Sequence, residues 1–107
     1  MSHPLLSGDP KLHVQILSPT QTYYNSLALS ISARNKVGPF DVLDGHANFF
    51  SILTKGDVAV NIGMGGHVLT FPISGGIMKV NQNKVTLFVD IDSAYLAATE
   101  DDSPKAH

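Results

Sequence analysis

Lys11-Leu12-His13-Val14-Gln15-Ile16 sets aliphatic residues at every second position, with an ammonium, an imidazole and an amide between them. Successive residues of an extended chain point to opposite faces. Leu12, Val14 and Ile16 therefore share one face and Lys11, His13 and Gln15 the other, which is the pattern of a half-buried β-strand. The same rule returns at Leu27, Leu29, Ile31 and Ala33, at Val58, Val60 and Ile62, at His67, Leu69 and Phe71, and at Val85, Leu87, Val89 and Ile91.

Turn-forming residues punctuate these segments: Ser18-Pro19-Thr20, Gly38-Pro39, Asp44-Gly45, Lys55-Gly56-Asp57, Gly63-Met64-Gly65-Gly66 and Asn81-Gln82-Asn83. Their spacing of roughly ten residues predicts an all-β sandwich or barrel. The glycines after Ile62 predict a hairpin pairing 58–62 with 67–71, and the polar turn between Val80 and Lys84 predicts a second hairpin over 74–91. Paired glycines in Ser74-Gly75-Gly76 mark a bulge or a close backbone approach. Only residues 93–100 favour helix, and so short a helix is unstable alone in water. Residues 1–10 read as a flexible segment, 11–94 as the domain proper, and 95–107 as a polar tail.

With 107 residues, 43% of them hydrophobic, the chain holds one domain, and at this length folding buries roughly 65% of the extended chain's surface. The absence of cysteine excludes a disulfide framework, a cysteine-zinc site and a thiol nucleophile. A net charge of −2, with Arg34 the one arginine, lacks the clustered basic residues that nucleic-acid binding requires. The N-terminus has no secretory pattern, and no apolar run approaches the ~20 residues of a membrane helix, so any link to a membrane is expected to run through a partner.

No phosphate loop, nucleophile elbow or His-Glu-x-x-His motif occurs. His46 and His67, with Asp41 or Asp44, offer an alternative reading as a metal-binding β-barrel protein or enzyme, although their spacing matches no ligand signature. Phe49 and Phe50 follow the Asp44-Gly45-His46 turn. Adjacent strand residues face opposite ways, so one ring is expected inside and the other against a covering segment or a partner.

Taken in order, Leu12 to Pro19, Gly38 to Ala47 (Gly-Pro-Phe-Asp-Val-Leu-Asp-Gly-His-Ala), Lys55-Gly56, Ser74 to Val80 (Ser-Gly-Gly-Ile-Met-Lys-Val) and Asn83 to Asp90 resemble the N-terminal domain of the epsilon subunit of F-type ATP synthases, called delta in mitochondria. The resemblance implies a flattened ten-stranded β-sandwich of two sheets. It implies a rotor subunit of the central stalk that docks on the gamma subunit and the proteolipid ring and couples proton or sodium transport to ATP synthesis, with no active site or cofactor of its own. Such a subunit belongs on the cytoplasmic face of the bacterial plasma membrane, or on the matrix or stroma side of an organelle.

By position, Asn35, Lys36, Val37, Gly38 and Pro39 match the loop that meets the ring. Ser18, Gly45 and His46 match the gamma-facing side, followed by Phe49, Phe50 and Ser51. Two departures stand out: Asp44 and Asn48 replace prolines that commonly flank the Gly-His-Ala turn, and Pro39 stands where an acidic residue is often found. Most bacterial members continue into an inhibitory hairpin of two helices. Only 13 residues follow Ala94, so neither that switch nor an ATP site is expected in this chain.

Overall fold

The computed structural model describes residues 9–63 and 66–91. The helix expected over 93–100, the tail, most of the N-terminal segment and Met64-Gly65 lie outside the described residues. Within them the chain forms eight strands: β1 (Leu12–Leu17), β2 (Thr22–Ala28), β3 (Ser30–Asn35), β4 (Gly38–Leu43), β5 (Phe49–Leu53), β6 (Gly56–Gly63), β7 (His67–Asn81) and β8 (Lys84–Ile91). The all-β class expected from the alternation is what the chain adopts.

Hydrogen bonding runs β2-β1-β8-β7-β6-β3-β4, with β5 added to β7; every pair is antiparallel except β1 with β8. β7 joins two groups of strands. Residues 67–73 pair with β6, which continues to β3 and β4, whereas 76–80 lie between β5 and β8, which continues to β1 and β2. The change of partner falls at Ser74-Gly75, where the register with β8 shifts. This is the bulge that the paired glycines predict. Because β7 passes unbroken through both groups it counts once, and the strands number eight among the described residues where the resemblance implies ten.

Leu12, Val14 and Ile16 of β1 and Val85, Leu87, Val89 and Ile91 of β8 are all buried, as their alternation requires. They meet Ile31, Val42, Val58 and Val60 of the other group in one core. Two edge-on aromatic contacts join the groups: Phe40 with Phe49 at 5.8 Å between centroids, and Tyr24 with Phe71 at 6.4 Å.

The alternation expected through Leu27, Leu29, Ile31 and Ala33 breaks in the middle. A bend at Leu29 separates β2 from β3 and resets the phase, so Ala28 is buried and Leu27 faces outward. Both expected hairpins form, with Val58 opposite Phe71, Val60 opposite Leu69, and Val80 opposite Val85. Leu69 nevertheless stays exposed, because the first half of β7 has β6 on one side and no strand beyond it.

Candidate docking surface

Register places the outward side chains of β5, β7, β8 and β1 in rows. Ile52 lies opposite Ile77, Ile77 opposite Phe88, and Phe88 opposite Leu17. Two residues further toward the β7–β8 turn, Phe50 lies opposite Lys79 and Lys79 opposite Thr86. Ile52 is 67% exposed, Phe50 60% and Phe88 52%. Isolated surface apolar residues are ordinary, but large ones aligned across four neighbouring strands make a contiguous patch. The outward positions on β3 and β6 are different in kind: Ser30, Ser32, Ala59 and Asn61, with Ser32 Oγ donating to Asp41 at 2.6 Å.

Phe49 and Phe50 divide as adjacent strand residues must. Phe49 packs against the core, its ring edge-on to Phe40 and 4.9 Å from the His46 imidazole. Phe50 points outward. Ser51, on the same side of the strand as Phe49, is the one buried polar side chain among the described residues, and its Oγ accepts from Asn35 Nδ2 at 3.1 Å.

The Gly45-His46 turn between β4 and β5 is fastened to the β7–β8 turn. Gly45 N donates to Asn83 Oδ1 at 2.9 Å, Asn83 Nδ2 donates to Asp44 Oδ1, and Gln82 N donates to Asn48 Oδ1 at 2.8 Å. Gln82 and Asn83 both have positive φ, 48° and 64°, which suits a two-residue hairpin turn. Asp44 and Asn48, the two residues that stand where prolines are common, thus each accept a hydrogen bond from the neighbouring turn. The turn is held by side chains rather than by pyrrolidine rings. The His46 ring bonds Ala47 O through Nδ1 at 2.8 Å.

Asn35 to Pro39 form the β3–β4 hairpin. Asn35 pairs with Gly38, leaving Lys36 and Val37 as a two-residue tip. Asn35 Oδ1 accepts from Val37 N at 2.9 Å and Gly38 N at 3.3 Å, while Gly38 takes a φ of 140° that favours glycine. Pro39 faces Arg34 on β4, which has no strand on its other side. That edge position needs no N–H from residue 39.

Ser18 closes the β1–β2 turn by accepting from Gln21 N at 3.2 Å and Thr20 N at 3.3 Å. It lines a groove of about 530 Å³ with Leu17, Thr22, Phe88 and Asp90. Ser18 follows Leu17, opposite Phe88, whereas Gly45 is tied to Asn83 at the start of β8. These two expected contact points therefore stand at opposite ends of β8, roughly 15 Å apart along the strand. Ile52, Ile77 and Phe88, which fill the space between, escape a reading based on alternation; their trace in the sequence is that Ile77-Met78 and Leu87-Phe88-Val89 run apolar without a break.

Among the described residues no three His, Cys, Asp or Glu side chains converge as metal ligands. His46 is taken up by its own turn and Phe49, and His67 pairs with Gly63 at the start of β7. The alternative metal-binding reading of these two histidines gains no support from their placement. No helix among the described residues is long and apolar enough to cross a membrane.

Residues 11–94 match the family described as ATP synthase, Delta/Epsilon chain, beta-sandwich domain. The chain is 33% identical over 79 residues to an ATP synthase epsilon chain of Francisella tularensis subsp. holarctica, covering 74% of this chain and 53% of that one. It is 30% identical over 79 residues to an ATP synthase epsilon chain of Vesicomyosocius okutanii, covering 74% and 56%. It thus spans about half the length of the curated relatives it matches. A chain of the Tetrahymena thermophila mitochondrial ATP synthase central stalk and c-ring structure superposes with a TM-score of 0.67 at 16% identity, covering 92% of this chain and 79% of that one. One from the Euglena gracilis mitochondrial ATP synthase gives 0.66 at 22% identity, covering 97% and 77%. At such identities the likeness is one of fold.

Proposed function

The chain belongs to the delta/epsilon β-sandwich family of ATP synthase subunits, and from that membership we propose that it is a non-catalytic rotor subunit of the central stalk, docked on gamma through the outward face of β5, β7, β8 and β1. The observation that carries this reading is the apolar row Ile52–Ile77–Phe88–Leu17, with Phe50 beside it. A sheet face with such a row turned outward is built to be covered. The small, mostly polar side chains outside β3 and β6 suit a surface left in water.

The β3–β4 tip, with Val37 96% exposed, meets the polar loops of the proteolipid ring in this reading. Torque passes from ring to gamma through a body stiffened by one packed core. The chain performs no bond chemistry and needs no cofactor; its contribution to coupling proton or sodium flow with ATP synthesis is mechanical. Its place is on the membrane side of the catalytic head, at the cytoplasmic face in a bacterium or the matrix or stroma side in an organelle. Co-purification of the full chain with its own gamma subunit tests the proposal. Stoichiometric co-elution, lost in a folded Phe50→Ala/Ile52→Ala variant, is the expected result; failure of the wild type to co-elute overturns it.

A further inference from the structure

The outward face is not uniform along its strands. Toward the β7–β8 turn, Lys79 and Lys84 line a shallow groove of about 190 Å³ with Asn81 and Thr86. Lys79 is opposite Thr86 and Lys84 opposite Asn81, so the two lysines are diagonal cross-strand neighbours. Neither ammonium has a carboxylate partner among the described residues, and the nearby Asp44 is engaged with Asn83. At the other end of β8, beyond Phe88, Asp90 faces outward opposite Gly75. The face therefore runs from an anionic end, over the apolar row, to a cationic end; Lys84 and Asp90 are about 20 Å apart along the strand.

Lys79 sits directly opposite Phe50. A partner that covers the Phe50 ring also takes water from the Lys79 ammonium, and desolvating a charge without an opposite charge is unfavourable. Resting on the docking reading above, we propose that these charged ends set the direction in which gamma lies on this face, by selecting a gamma surface with carboxylates against Lys79 and Lys84 and a basic side chain near Asp90. The reversed orientation would bring like charges together at both ends. The apolar row contributes adhesion and the charges choose between two placements that it alone leaves nearly equivalent.

The test is equilibrium binding of the full 107-residue chain to its own gamma subunit at low and at physiological salt. Wild type is compared with Lys79→Glu/Lys84→Glu, Asp90→Lys and Phe50→Ala, with thermal unfolding recorded for each. Wild-type affinity is expected to fall with salt. Both charge variants are expected to lose about tenfold at low salt at an unchanged melting temperature, with the loss shrinking as salt rises. Charge variants that bind like wild type, alongside a weakened Phe50→Ala, overturn the directional role while leaving the docking reading in place. No binding by wild type overturns both. Should a charge variant fail to fold, the wild type's own salt dependence decides, and a salt-independent affinity overturns the proposal.

Discussion

A Cβ on Gly76 would stand 2.5 Å from the carbonyl oxygen of Phe88 and 2.9 Å from the Cα of Val89. Backbone meets backbone here because Gly76 lies one residue past the bulge at which β7 changes partners, and neither of these two atoms belongs to a flexible side chain that could give way. Gly76→Ala is expected to destabilise the fold by about 3 kcal/mol. Gly75→Ala, whose nearest atom would be Leu53 O at 3.8 Å, is expected to be tolerated. Urea midpoints of the two variants check the contrast; equal midpoints would mean that the two strands can separate at Gly76 at little cost.

Phe49 and Phe50 give a separation of stability from assembly. Phe49→Ala removes a half-buried ring and its edge contact with Phe40, at a cost of about 2–3 kcal/mol. Phe50→Ala removes an exposed ring, so its effect on the isolated chain is expected within about 0.5 kcal/mol. Thermal unfolding together with gamma co-elution reads both quantities. Loss of stability in both variants would place the docking face elsewhere.

This pair also shows what was legible in the sequence. That one ring faces in and the other out follows from period two alone, but which is which depends on register, and register is fixed by β7, some thirty residues further along the chain. Alternation located β1, β6 and β8 because each has one buried face. It misreads Leu27 because the bend at Leu29 resets the phase, so that Ile31 and Ala33 face inward while Leu27 faces outward. The outward apolar row was hidden for a related reason: Ile77 and Phe88 lie in unbroken apolar runs, where a core side chain and a docking side chain look alike until strands are paired. The Asp44-Asn83 link was beyond reach of any local pattern, since it joins turns 39 residues apart.

That link supports another prediction. Asn83 holds a φ of 64° and bonds both Gly45 N and Asp44. Asn83→Gly keeps the backbone conformation at no steric cost but loses the side-chain bonds, about 1–2 kcal/mol. Asn83→Ala loses the same bonds and adds a strained left-handed residue, about 1 kcal/mol more. Hydrogen exchange at the Gly45 amide is expected to speed up in both variants, while only the stability separates them. An unchanged Gly45 exchange rate would mean that the turn is held by something other than Asn83.

For the histidines, the alternative metal reading predicts a stoichiometric transition metal in protein purified without a histidine tag. With the His46 ring tilted against Phe49 and no three candidate ligands converging among the described residues, we expect elemental analysis to find none, and EDTA to leave the melting temperature unchanged. A shift with EDTA that is abolished in His46→Ala would reinstate a metal at that turn.

At the β3–β4 tip, shape and contact are separable. Asn35 shapes the turn by accepting from Val37 N and Gly38 N and donating to Ser51. Asn35→Ala is expected to cost about 1–2 kcal/mol, because the two amides can turn to water while the buried Ser51 hydroxyl loses its donor. Val37 is held up by this arrangement yet touches little of the fold, so Val37→Asp is expected to leave stability within about 0.5 kcal/mol. If the tip rests on the proteolipid ring, the new carboxylate must be desolvated there, and binding of the chain–gamma complex to the isolated ring is expected to weaken about tenfold. Asn35→Ala is expected to weaken the same binding less, because the tip side chain is still present but less often in place. Unchanged ring binding by Val37→Asp would remove the tip from the interface, whatever Asn35→Ala does.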